Sequence, residues 1–248
     1  MNEDCPYDPN WWQAPRAASL ERKKRMVANS ALAKPGDAFL IVTEGKVTEP
    51  IYFDLLICDL QLATVQVKVI PGDHSDPRHV INTAAREAND QIKKHKKGEL
   101  GNDEPAKFDQ IWAVVDTDVA VRQDFWNDVV QLASARKVKL AHSTPCIEFW
   151  LLLHIADYTT RSDLVDGAAT KSAVKQALGG EYSTNEKVAK AVFPKFVPHW
   201  PVAVGHAEQV RRHHQRASTP PPGNPSTEVD RLVRALNDSA LPHHRKLK

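Results

Sequence analysis

Residues 111–118 read IWAVVDTD, an apolar run that ends in two aspartates with one residue between them. A similar run at residues 39–45 reads FLIVTEG and contains Glu44 just before its end. Short apolar runs with polar ends are typical of buried strands. In an open α/β sheet, carboxylates that follow neighbouring parallel strands meet at the crevice where such sheets bind ligands. We therefore expect Glu44, Asp116 and Asp118 to share one edge of a sheet.

These three carboxylates form a candidate magnesium site. Hard oxygen ligands suit Mg²⁺, and Mn²⁺ is a second cation that the same ligands accept. Asp116 and Asp118 are two residues apart, so at an extended strand end both side chains point to one side and can share a cation. Glu44 would be a further ligand or a general acid or base. The alternatives are that one aspartate only caps the following helix or turn, and that Glu44 is a solvated strand-end carboxylate.

Further residues near the strand ends are candidates for the same site. Gly45 allows a sharp turn and the close approach of a phosphate, and Lys46 is a candidate phosphate ligand, although a solvated lysine is equally expected. Glu148 opens an otherwise apolar segment, where an unpaired carboxylate is costly unless a partner such as a metal offsets the cost. Its alternative role is to stabilise a helix N-terminus. We expect Glu49 to cap the following helix rather than to contact metal.

Strand-like and helix-like segments alternate up to about residue 158, which predicts an α/β fold with a parallel sheet flanked by helices. Beyond that point the strand signal ends, and a last helix is predicted from an Asn224 N-cap with Pro225 in its first turn. The chain is therefore divided into three regions, a basic N-terminal arm at 1–36, an α/β domain at 37–158 and a helical C-terminal extension at 159–248.

The formal net charge is +2, from 33 Lys and Arg against 31 Asp and Glu, which is too small to mark the whole chain as a polyanion binder. Any nucleic-acid contact should therefore come from local basic clusters. We predict Arg211, Arg212 and Arg216 as nucleic-acid-binding residues. The alternative is that these arginines meet an acidic face of a partner protein. The lysine run at 93–97 is more typical of a solvated helix end.

The sequence lacks the patterns of membrane proteins, secreted proteins and proteins with zinc sites or disulfide frameworks. The longest apolar stretch, residues 149–153, is far shorter than the roughly 20 residues of a membrane span, and the N-terminus lacks the basic start of a signal peptide. We expect a cytoplasmic protein without a membrane segment. The three cysteines have no CxxC spacing, so neither a zinc site nor a disulfide framework is predicted.

A set of short motifs follows one order along the chain, namely Glu44-Gly45, Thr48-Glu49-Pro50, Asp116-Thr117-Asp118, TPCIEFWLLLH at 144–154 and NPSTEV at 224–229. Over about residues 38–238 the chain resembles the RloB-like family. This resemblance implies a Toprim fold and a Mg²⁺-dependent nuclease role, with the catalytic pattern at Glu44, Asp116 and Asp118. It also implies a role in bacterial phage defence, since this Toprim-type group occurs in defence and restriction-linked loci, and an AAA-type ATPase partner.

The expected function is thus hydrolysis of phosphodiesters in RNA, with tRNA as one candidate, or in DNA. The competing class is a non-catalytic module that binds metal and nucleic acid but mainly regulates an ATPase.

Other enzyme classes also use a DxD motif. A haloacid-dehalogenase-type phosphatase would need Thr or Val at position 120, where this chain has Ala120, and a later acidic pair, which the chain lacks. A glycosyltransferase leaves Glu44-Gly45 unexplained, and a topoisomerase needs a tyrosine nucleophile on a separate domain, for which no tyrosine here has the setting.

Overall fold

The structure is a computed structural model that describes residues 37–62, 66–71, 76–101, 104–155 and 161–247. The predicted N-terminal arm at 1–36 lies outside the described residues. None of the described helices combines the length and the apolar character that crossing a membrane requires.

The centre of the fold is a five-stranded sheet in the order β2-β1-β3-β4-β5. Strands β1 to β4 are parallel, and β5 pairs with β4 in the antiparallel sense. The predicted α/β class and its mostly parallel sheet are therefore confirmed. The strand bounds are Ala38–Thr43 for β1, Gln66–Pro71 for β2, Gln110–Asp116 for β3, Lys139–Thr144 for β4 and Ser226–Thr227 for β5.

Helices cover both faces of this sheet, as expected for strands joined by crossover helices. Single 3-10 turns occur at Phe193–Lys195, Val197–His199 and Pro242–His244. The α-helices are α1 (Thr48–Asp59), α2 (Pro77–Lys96), α3 (Asp118–Arg122), α4 (Trp126–Arg136), α5 (Ile147–Leu152), α6 (Gly167–Ala177), α7 (Glu186–Val192), α8 (Trp200–Arg216) and α9 (Val229–Ser239).

Two hydrophobic cores result, one on each face of the sheet. Successive residues of β1 point to opposite faces, so that Leu40 joins the core under α2 and α4, while Phe39 joins the other. The second core contains the fully buried α5, together with α1 and side chains from α7, α8 and α9. The C-terminal helices are thus packed on the sheet through the same core as α1 and α5.

The order of the strands creates a switch point at the carboxyl ends of β1 and β3. From β1 the chain passes through α1 to β2 on one side, and then through α2 to β3 on the other side of β1. The crevice outside such a reversal is where open α/β sheets bind ligands. The residues that follow β1 and close β3 are therefore held at the ligand-binding position of the fold.

The C-terminal region differs from the prediction in two respects. The expected absence of strands beyond residue 158 is wrong, because Ser226–Thr227 pairs with Thr144 and Ser143 as β5. The last helix begins at Val229, not at Pro225. Both differences have one cause: a chain segment that is hydrogen-bonded to β4 as a strand is extended, so the helix cannot begin before this pairing ends.

Candidate active site

Glu44 and Asp116 meet across the switch point. Glu44 directly follows β1, and its backbone N–H donates to the Val114 carbonyl of β3 at 3.0 Å. Its side chain then turns back, and Oε2 accepts a hydrogen bond from the Asp116 N–H at 3.1 Å. The carboxylate of Glu44 is therefore held against the end of β3 by contacts from both its backbone and its side chain.

The two aspartates of the DxD do not lie on an extended strand end. Thr117 has a helical backbone (φ −104°, ψ −12°), and Asp118 is the first residue of α3. The expected geometry, in which strand alternation points both carboxylates to one side, is therefore wrong. Both residues nevertheless remain at the carboxyl edge of the sheet, where the Asp118 N–H donates to the Pro145 carbonyl at 3.2 Å.

Each of these aspartates also accepts a hydrogen bond from a helix N-terminus. Asp116 Oδ1 accepts from the N–H of Ile147, the first residue of α5, at 2.8 Å. Asp118 Oδ1 accepts from the Val119 N–H at 2.7 Å. The Asp118 contact lies within the first turn of α3, whose N-cap residue is Thr117 and makes no side-chain capping bond. Such contacts orient the carboxylates and leave the second oxygen of each one for other ligands.

Glu148 is buried at the start of α5 and has partners from distant parts of the chain. Its Oε1 accepts a hydrogen bond from the hydroxyl of Tyr182 at 2.8 Å. The ammonium of Lys171, on α6, lies 3.9 Å from the same oxygen. Neither partner was predictable from sequence, because both are far from Glu148 along the chain and reach it only through tertiary packing.

Glu49, which was expected to cap α1, lies in the first turn of that helix. It is buried on α1, and its Oε1 accepts a hydrogen bond from the Gly45 N–H at 3.0 Å. A Cβ placed on Gly45 would clash with the carboxylate of Glu49. The glycine therefore makes room for this carboxylate, which is a different role from the predicted approach of a phosphate. The spacing of four residues between Gly45 and Glu49 was the sequence signal that could have predicted this contact.

The acids influence one another electrostatically. Burial raises the pKa of Glu44 from 4.5 to about 8, and the charges of Glu49 and Asp118 contribute in the same direction. Burial also raises the pKa of Asp116 well above its ordinary value, with further contributions from Glu49, Glu44 and Glu148. The pKa of Lys171 is raised chiefly by the negative charge of Glu148. We call Glu44, Glu49, Asp116, Asp118 and Glu148 the acid cluster.

The donor set of the acid cluster fits a hard divalent cation. Its side chains supply carboxylate oxygens alone, and their mutual repulsion would be relieved by a positive charge between them. As placed, no three His, Cys, Asp or Glu side chains among the described residues are close enough together to hold an ion. The carboxylates, which now accept hydrogen bonds from the backbone or from Tyr182, would have to turn toward a common point to bind one.

The predicted nucleic-acid-binding residues lie in two places. Lys46 is exposed in the β1–α1 loop, beside Glu44. Arg211 points into the protein instead, where it forms an ion pair with the buried Asp230 at 2.5 Å and donates to the Thr227 carbonyl at 3.1 Å. Its contacts therefore indicate a structural role. Arg212 and Arg216 are exposed on α8 and stay predictions as phosphate ligands.

Comparison with known proteins gives one family. The model of the RloB-like protein family matches residues 39–236. No curated protein and no solved structure matches the chain. The family match begins in β1 and ends in α9, so it includes every residue of the acid cluster as well as Lys171 and Tyr182. Because it covers most of the sequence, the chain belongs to the RloB-like family.

Proposed function

We propose that the protein is a metal-dependent nuclease of the Toprim type. The observation that carries this proposal is the hydrogen bond between Glu44 Oε2 and the Asp116 N–H across the β1–β3 switch point. It holds a glutamate that follows the first strand against the aspartate that closes the third. Asp118, Glu49 and Glu148 bring further carboxylates to the same edge of the sheet, and carboxylate oxygens are the donor chemistry of a Mg²⁺ or Mn²⁺ site.

Within this proposal, Asp116, Asp118 and Glu44 hold the cation, and Glu148 supports it. When bound, the cation polarises the scissile phosphodiester and stabilises the charge that develops on its oxygens. Burial raises the pKa of Glu44 to about 8 in the absence of metal, so near neutral pH this carboxyl must release its proton in order to become a ligand. The exposed ammonium of Lys171, 3.9 Å from Glu148, lies where it can contact a substrate phosphate.

The proposal extends to the biological setting that the family resemblance implies. We propose that the nuclease acts in antiphage defence as the effector of an AAA-type ATPase partner, and that it cuts RNA, with tRNA as one candidate, or DNA. A protein that binds metal and nucleic acid without cleaving either polymer would be a regulatory subunit of the ATPase instead.

The test is a cleavage assay with the purified protein. We expect tRNA, single-stranded RNA or plasmid DNA to be cut in Mg²⁺ or Mn²⁺ and not in EDTA, with the ATPase partner present or absent. Asp116→Asn should lower the rate about a thousandfold or more while the protein stays folded, since asparagine still accepts the Ile147 hydrogen bond but lacks the charge. The surface variant Asp163→Asn is the matched control. Cleavage by Asp116→Asn at the wild-type rate would contradict the assignment.

A further inference from the structure

A polar groove lies between α2 and α4, on the sheet face opposite α1. Its volume is about 380 Å³. Its polar lining includes His79, Asn82, Arg86, Asn89 and Lys93 from α2 and Arg136 from the end of α4. Their spacing of three or four residues along α2 places them on one face of that helix. The α2 side of the groove therefore extends from His79 to Lys93, and Arg136 is the lining residue from α4.

The groove leads away from the acid cluster. Helix α2 follows the carboxyl end of β2, so its first turn, which contains His79, lies at the same edge of the sheet as Glu44 and Asp116. The helix then returns to the opposite edge. From His79 to Lys93 it rises about 21 Å, at 1.5 Å per residue. A linear ligand that occupies the groove would thus have one end at the edge of the sheet that carries the acid cluster.

The charge of the groove is positive. Arg86, Lys93 and Arg136 outnumber the lining acid Asp90. Lys93 pairs with Asp90 at 2.9 Å, and Arg86 reaches only 3.9 Å from Glu87. The side chains of Arg86 and Lys93 are 63% and 69% exposed, so these pairs are weak and a phosphate can replace the acid. Within the described part of the chain, Arg136 belongs to no ion pair.

Most arginines of α8 and α9 form ion pairs with nearby acids. Arg211 is bound to the buried Asp230, Arg234 pairs with Glu208, and Arg231 pairs with Glu228 at 2.8 Å. The positive charge of this region is therefore largely compensated by acids of the same helices. Arg216 of α8 is exposed and belongs to no ion pair among the described residues, so this region keeps some free positive charge. On the α2–α4 face, Arg136 is likewise unpaired among those residues and the pairs of Arg86 and Lys93 are exposed, so this face also has positive charge that can attract a polyanion.

We propose that the α2–α4 groove binds a single strand of nucleic acid, with Arg86, Lys93 and Arg136 on its phosphates. This proposal rests on the proposed nuclease function, because it assigns the groove to the substrate of the acid cluster. Two packed helices have axes about 8 to 10 Å apart, so the cleft between them is too narrow for a duplex. The amides of Asn82 and Asn89 are available for hydrogen bonds to sugars and bases.

The test measures binding of the Asp116→Asn protein to single-stranded RNA and DNA oligonucleotides between 50 and 200 mM salt. Replacement of Arg86 and Arg136 by alanine should reduce the slope of log affinity against log salt by about 1.4, from about 0.7 for each lost phosphate contact. Lys187→Ala with Lys195→Ala removes the same charge from exposed positions on the other face of the sheet. This control pair should leave the slope unchanged.

Three results would contradict the proposal that the groove binds a single strand of nucleic acid. They are an unaltered slope in the Arg86 and Arg136 variant, an equal loss in the control pair, and the same loss with duplex DNA. Because the readout is binding, a reduced slope supports the groove even where wild-type protein cleaves nothing in Mg²⁺. That second outcome would contradict the nuclease function alone, so the two failures are distinguishable.

Discussion

At the scale of single residues, Glu148 has a setting that helix capping alone does not explain. It is buried, accepts a hydrogen bond from Tyr182 and faces the ammonium of Lys171. We predict that Glu148→Gln lowers the cleavage rate or the Mg²⁺ affinity. A carboxylate that only stabilises the helix N-terminus would contribute about 0.3 to 1 kcal/mol to stability and nothing to activity. Glu186→Gln, at an exposed position at the start of α7, is the matched control. Mg²⁺-dependent cleavage that stays unchanged in Glu148→Gln would remove this residue from the site.

The raised pKa of Glu44 makes the stability of the metal-free protein depend on pH. Between pH 4.5 and about 8 the folded protein keeps a proton on Glu44 that the unfolded chain has released. The free energy of unfolding should therefore fall as the pH rises through this interval. Thermal unfolding in EDTA measures the effect, and Glu44→Gln, which cannot titrate, should show a smaller decline. Identical pH profiles for the two proteins would show that Glu44 does not titrate as described.

At the scale of elements, the ion pair of Arg211 and Asp230 connects α8 to α9. Arg211→Ala would leave the fully buried carboxylate of Asp230 without its partner, which typically costs about 3 to 5 kcal/mol. Arg212→Ala, on the same helix but exposed, should change the free energy of unfolding by less than about 1 kcal/mol. Denaturant unfolding of both variants measures this difference. Equal stability of the two variants would contradict the structural role of Arg211 and favour its original assignment as a phosphate ligand.

Sequence patterns predicted some elements better than others for physical reasons. Strands β1 and β3 are buried on both faces, so each appears as a continuous apolar run that sequence alone reveals. Strand β5 has two residues, Ser226 and Thr227, and depends on pairing with β4, which is a contact that no local pattern encodes. The start of α5 at Ile147 likewise depends on a distant acceptor, Asp116.

At the scale of the whole molecule, the candidate site combines local and long-range features. Glu44 and Asp116 were predictable because strand order alone brings the ends of β1 and β3 together. Lys171 and Tyr182 were not, since they reach Glu148 only after the C-terminal helices pack on the sheet. For the same reason, the sequence did not predict that the side chain of Arg211 points into the protein. Its partner, Asp230, lies on the next helix and is recognisable only once the two helices are packed.

The central claim is that the acid cluster binds a divalent cation, and calorimetric titration with Mg²⁺ near pH 8 tests it most directly. We predict that the wild-type protein binds Mg²⁺ and releases protons, because ligands such as Glu44 must lose theirs. Titration in two buffers of different ionisation enthalpy measures this release. Asp116→Asn should lose most of the affinity, whereas Asp163→Asn, at an exposed position, should keep it. Equal Mg²⁺ binding by wild type and Asp116→Asn, or no binding by wild type, would contradict the claim.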